Sequence, residues 1–139
     1  MRKLESILLV DDDPTSLFIA KNIVKRHQVA ERIFAAHSGV EAIQLLRSAC
    51  GKGQDSIICP TLVMVDVRMP DMDGFQFVEA MRALTAPIVP VVAMLSSHDY
   101  DRDKKKAKHL GIEAFLQKPL TGESFREFLL SAGLTSGIK

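Results

Sequence analysis

The chain has 139 residues, 47% hydrophobic and 25% charged, with a net charge of +1. That is enough for one domain with a substantial core. It gives no bulk attraction to nucleic acid or anionic membranes, and no apolar stretch approaches the ~20 residues of a membrane span. The N-terminal Met1-Arg2-Lys3-Leu4-Glu5 leads into only a short apolar run, so no signal peptide is expected. Cys50 and Cys59 lack metal-ligand spacing and are expected to be reduced thiols of a cytoplasmic protein, although sequence alone leaves a bridge open.

In chain order, the first predicted strand is Ser6 to Val10. A helix from about Thr15 to His27 follows, with Asp13 as N-cap and Pro14 at its first position. If Ile19, Ala20, Ile23 and Val24 form its core face, Leu17 and Phe18 cannot both be buried. A short strand, Arg32 to Ala36, precedes a helix over Val40 to Ser48. The polar segment Gly51 to Ser56 belongs to an extended loop between Cys50 and Pro60, before the strand Leu62 to Val65. Met69-Pro70-Asp71-Met72-Asp73-Gly74 carries turn signals. Beyond it come a helix from Phe75 to Ala83, a strand from Val91 to Leu95, and a charged helix from Asp99 to Leu110 closed by Gly111. The strand Ala114 to Gln117 and a helix from Glu123 to Ala132 complete the pattern, leaving a short tail, Gly133 to Lys139. Five βα units without a linker imply one three-layer α/β domain over residues 1–139.

Five polar residues stand at the ends of these apolar runs: Asp11 and Asp12 after the first, Asp66 after the third, Ser96 after the fourth and Lys118 after the fifth. Strands that are apolar on both faces belong to a buried parallel sheet, whose carboxyl ends line the ligand crevice. Three carboxylates, a hydroxyl and an ammonium therefore converge on one rim. Two acids at a buried strand end repel each other unless a cation is present. The set suits a divalent cation and a phosphoryl group. Asp13 is read as a helix cap, not a ligand. Lys104, Lys105, Lys106 and Lys108, offset by Asp99, Asp101 and Asp103, are read as a solvated helix face.

These residues resemble the receiver domain of two-component response regulators, over about residues 6 to 131. The resemblance rests on Asp11-Asp12, on Asp66 followed by Met69-Pro70 and Asp73-Gly74, on Ser96-Ser97 and on Lys118-Pro119, with 30 residues from Asp66 to Ser96 and 22 from Ser96 to Lys118. It is closest to small standalone receivers without an output domain. It implies a flavodoxin-like (βα)5 fold, a five-stranded parallel sheet in order 2-1-3-4-5 with helices on both faces.

The resemblance further implies that Asp66 accepts a phosphoryl group from a sensor histidine kinase or a histidine phosphotransfer protein. Mg²⁺ (or Mn²⁺) would be held by Asp11, Asp12, Asp66 and the backbone carbonyl of Arg68. Lys118 and Ser96 would bind phosphoryl oxygens, and Phe115 would be the aromatic switch. Arg68 and His98 occupy the positions that tune the lifetime of the aspartyl phosphate. The chain is then expected to be a signalling domain and not an enzyme beyond its own phosphorylation and dephosphorylation. It would act on a downstream protein target, as a monomer or as a weak homodimer through the face of helix four, strand five and helix five. An exposed apolar residue on helix one, beside the rim, would suit docking by a kinase helix.

Two other readings fit part of the pattern. Asp11-x-Asp13-x-Thr15 matches the opening motif of haloacid-dehalogenase-like phosphatases, with Ser96 and Lys118 as later motifs. That reading leaves Asp66 and the Met-Pro-Asp-Met-Asp-Gly loop without a role, and only Glu123 and Glu127 follow Lys118 as acids. A receiver fold without phosphorylation is the other, and the complete set of acids, hydroxyl and lysine speaks against it.

Overall fold

The computed structural model describes residues 4–50, 59–86, 89–97, 100–112 and 114–134. Ten elements alternate: β1 (Leu4–Val10), α1 (Pro14–His27), β2 (Ala30–Ala36), α2 (Gly39–Cys50), β3 (Leu62–Asp66), α3 (Gly74–Thr85), β4 (Val91–Ser96), α4 (Tyr100–His109), β5 (Ala114–Gln117) and α5 (Gly122–Ala132). Each predicted element is present, with ends shifted by a residue or two, where capping rather than hydrophobic pattern sets the boundary. The strands are all parallel in the order β2-β1-β3-β4-β5, as expected.

Successive strand residues point to opposite faces, and both parities are apolar in the inner strands. Leu8, Val10, Val63, Val65 and Met94 face one side, packed with Phe77 and Met81 of α3 and Leu46 of α2. Ile7, Leu9, Leu62, Met64 and Ala93 face the other, against Val24 of α1 and Phe125 and Leu129 of α5. Most of these side chains are completely buried, each large one contributing about 1.5–3 kcal/mol through loss of apolar surface. The edge strand β2 is only partly covered.

Local chemistry starts and stops the helices. The Asp13 carboxylate accepts from the backbone N–H of Thr15 and the hydroxyl of Ser16, capping α1 as expected. Gln28, in the left-handed region at φ 51°, ends it. Asp73 and Gln76 cap α3 reciprocally. Gly111, at φ 75°, supplies the left-handed turn after α4.

Two expectations are corrected. On α1 the buried stripe is Leu17, Ala20 and Val24, spaced i, i+3, i+7, with Ile23 partly buried. Ile19 lies off that stripe and is 40% exposed, and Phe18 is 65% exposed. The helix is thus rotated from the expected orientation, because Leu17 takes the core place assigned to Ile19. The second correction concerns the cysteines: Cys50 and Cys59 form a disulfide. α2 returns the chain to the rim where β3 begins, bringing their Cα atoms to 4.9 Å, within bridging range. The rest of the extended loop, residues 51–58, lies outside the described residues.

Candidate functional site

In this strand order β1 and β3 are neighbours whose following helices, α1 and α3, lie on opposite faces of the sheet, so a crevice opens at their carboxyl ends. Asp11 follows β1, its backbone N–H donating to the carbonyl of Ala36 on β2. Asp66 is the last residue of β3, paired in register with Leu95, and the next N–H, of Val67, donates to the Leu95 carbonyl. Ser96 ends β4, and its carbonyl accepts from the backbone N–H of Lys118 after β5. Sheet hydrogen bonding thus fixes the height of each functional residue at the rim.

Carboxylate oxygens of Asp11, Asp12 and Asp66 lie within 4.8 Å of one another. Asp11 and Asp66 are buried and Asp12 is exposed. The Lys118 ammonium is 2.9 Å from Asp11 Oδ2 and 3.4 Å from Asp66 Oδ2. Asp11 also accepts from the backbone N–H of Asp13. A shallow depression beside the acids is lined by Asp12, Arg68, Met69, Pro70 and Asp73.

Burial pushes the pKa of Asp66 up to about 6, against the lowering effect of the Lys118 charge; the neighbouring Asp11 charge raises it further. Lys118 moves in the opposite sense energetically. Burial alone would lower its pKa, but the hydrogen bond to Asp11 and the charges of Asp66 and Asp11 raise it above the ordinary lysine value. The ammonium is therefore held charged beside two acids.

The donor set consists of hard oxygens at short mutual distance, facing outward through Asp12, which fits a Mg²⁺-sized cation that keeps some of its water. Arg68 follows two residues after Asp66, and its side chain reaches α4. Phe115 is half-buried on β5, paired with Met94, and lines a groove with Phe128 and Ser131 of α5. His98 lies outside the described residues. The Lys118–Pro119 peptide is cis.

Asp103 was not anticipated as part of this region. It is 3% exposed, not solvated. Its Oδ2 accepts from the Ser96 hydroxyl at 2.8 Å, and Nη2 of Arg68 donates to its two oxygens at 3.0 and 3.3 Å. A signal did exist: Asp103 and Ala107 are four apart on one helical face, and Ala107 is buried against the sheet. The lysines, by contrast, are exposed as expected, with Lys106 Nζ 4.6 Å from the centre of the Phe75 ring.

A family model described as "Response regulator receiver domain" matches residues 7–129. Protein PilH of Pseudomonas aeruginosa is 30% identical over 122 residues, covering 85% of this chain and 88% of that protein. Hybrid signal transduction histidine kinase B of Dictyostelium discoideum is 34% identical over 131 residues; the match covers 85% of this chain but only 6% of the kinase. Among solved structures, a two-component response regulator from Cytophaga hutchinsonii superposes with a TM-score of 0.81 at 26% identity, covering 96% of this chain and all of the other.

Proposed function

Because the chain belongs to the response regulator receiver domain family, we propose that it is a phosphoacceptor in which Asp66 takes a phosphoryl group from a phosphohistidine on a kinase or phosphotransfer protein. The observation that carries this reading is the buried Asp66 carboxylate, with two further acids within 4.8 Å and an ammonium 3.4 Å away.

A carboxylate oxygen of Asp66 would attack phosphorus in line with the departing imidazole, forming an acyl phosphate. Mg²⁺ held by Asp11, Asp12, Asp66 and the Arg68 carbonyl would neutralise charge between the carboxylate and the phosphoryl oxygens. Lys118, held charged 3.4 Å from Asp66, would pair with a phosphoryl oxygen. Ser96 would donate its hydroxyl proton to another. Positioning and charge stabilisation are what such a transfer needs from a protein. Phe115, in contact with the core through β5, would then repack and alter the face of α4, β5 and α5, through which a downstream protein or a second copy would bind.

Arg68 and His98 would set the lifetime of the acyl phosphate. The exposed Phe18 on α1 offers a docking point for the donor's helix. On this reading the domain has no catalytic activity beyond its own phosphorylation cycle, and it acts in the cytoplasm; no helix among the described residues is long and apolar enough to cross a membrane. Asp13, the second acid of the phosphatase motif, is engaged in capping α1.

The test is intact-mass spectrometry after incubation with acetyl phosphate, with and without Mg²⁺, on wild type and Asp66→Asn. The expected result is a Mg²⁺-dependent gain of ~80 Da, absent in the variant. A gain that survives in Asp66→Asn but disappears in Asp11→Asn would overturn the assignment.

A further inference from the structure

We propose that Asp103 is a positioning residue that holds Ser96 in the resting state and must release it before a phosphoryl group on Asp66 can be bound. This rests on the reading of Asp66 as the acceptor.

A serine hydroxyl has one proton to donate, and in the resting protein it is directed to Asp103 Oδ2 at 2.8 Å. A phosphoryl oxygen, like a carboxylate, only accepts. Ser96 therefore cannot serve Asp103 and the phosphoryl group together. Ser96 is completely buried, so solvent does not compete for its proton at this site. Binding of the phosphoryl oxygen must break the bond to Asp103.

Asp103 would then be a buried carboxylate that has lost a partner, which is costly unless another remains. Arg68 remains. Its Nη2 donates to both Asp103 oxygens, so the carboxylate keeps a charged partner when the hydroxyl leaves. Arg68 sits two residues after Asp66 and Asp103 lies in the first turn of α4. The change of hydrogen-bond acceptor at Ser96 is thereby coupled to the seating of α4 on the sheet. A bond of this charge-assisted kind shifts an equilibrium about tenfold.

The experiment is titration of beryllium fluoride, a tetrahedral phosphoryl mimic, in saturating Mg²⁺, followed by amide NMR. The proteins are wild type, Asp103→Ala, Asp103→Asn, Ser96→Ala and the Ser96→Ala/Asp103→Ala double variant. Asp103→Ala is expected to bind about tenfold more tightly than wild type, with Asp103→Asn intermediate because its amide oxygen still accepts. In the Ser96→Ala background the same substitution should change affinity less than about twofold, because there is no hydroxyl left to release. Unchanged or weaker binding by Asp103→Ala overturns the proposal. So does an equal gain in both backgrounds, which would mean simple charge repulsion. Should Asp103→Ala lose its folded amide spectrum, Asp103→Asn with Ser96→Ala/Asp103→Asn completes the same cycle. Failure of the wild type to bind the mimic would instead overturn the assignment of Asp66.

Discussion

Nζ of Lys118 approaches Asp11 Oδ2 more closely, at 2.9 Å, than it approaches Asp66, at 3.4 Å. In the resting rim the lysine thus compensates the acid that does not accept phosphate, and leaves Asp66 the less satisfied of the two. Lys118→Ala should lower the rate of phosphorylation by acetyl phosphate roughly 10²-fold, the scale of losing one preorganised charge at a site of developing negative charge. Time-resolved intact mass measures this directly. A loss under threefold would show that Lys118 neutralises Asp11 only.

The raised pKa of Asp66 has a stability consequence whose sign is opposite to that of an ordinary paired carboxylate. Below the unfolded value of 3.8 the group is protonated in both states and contributes nothing. Between 3.8 and about 6 the folded state holds the proton that the unfolded chain has lost, so stability falls as pH rises through this window. In EDTA, the urea-derived stability of wild type relative to Asp66→Asn should therefore decline from pH 4 to pH 7, by about 1–2 kcal/mol after discounting for solvent screening.

Metal binding should show the same titration from the other side. A cation requires the charged carboxylate. Mg²⁺ affinity, measured by calorimetry, is expected to be flat above pH 7 and to fall by up to about tenfold per pH unit below pH 6. Asp12→Asn should weaken it at every pH without moving the inflection.

Gly74 opens α3 directly under the acceptor. A Cβ there would lie 2.6 Å from the backbone carbonyl oxygen of Asp66 and 2.6 Å from Met94 Cε. The methionine can move, but the carbonyl belongs to the strand that carries the site. Gly74→Ala should cost about 2–3 kcal/mol in urea unfolding, in the range of an overpacked core, and also weaken Mg²⁺ binding by shifting the end of β3. Stability loss with unchanged metal affinity would confine the strain to Met94.

The Cys50–Cys59 bond lies at the start of β3 and the end of α2, whereas the acids stand at the opposite ends of the strands. Reduction, or Cys50→Ser/Cys59→Ser, should lower stability by up to about 2–3 kcal/mol through loop-closure entropy. The acetyl phosphate reaction rate should stay within about twofold of wild type at temperatures well below unfolding.

The strands and the rim were readable in the sequence because each functional residue terminates an apolar run: Val10 before Asp11, Val65 before Asp66, Leu95 before Ser96. Period and boundary coincide there. The strand order came only with the family resemblance. Asp103 was hidden because α4 offers almost no apolar residues against which to judge its facing, so an acid among lysines reads as solvated; only Ala107 marks the buried side. The rotation of α1 escaped for a related reason. Leu17, Phe18 and Ile19 are consecutive and equally apolar, and only packing against α5 and the sheet decides which of them is covered. The disulfide depends on where α2 returns the chain, a tertiary fact that cysteine spacing does not encode.

The bond between Cys50 and Cys59 also makes the chain between them a covalent ring, with its two attachment points 4.9 Å apart. A peptide bond hydrolysed anywhere inside that ring would not divide the molecule, since both fragments would remain one particle until a thiol is added. The sheet is assembled from both sides of the ring, β1 and β2 before it and β3 to β5 after it. The receiver thus consists of two segments fastened together at the rim away from its chemistry, and foreign sequence placed between the cysteines would be displayed as a closed loop.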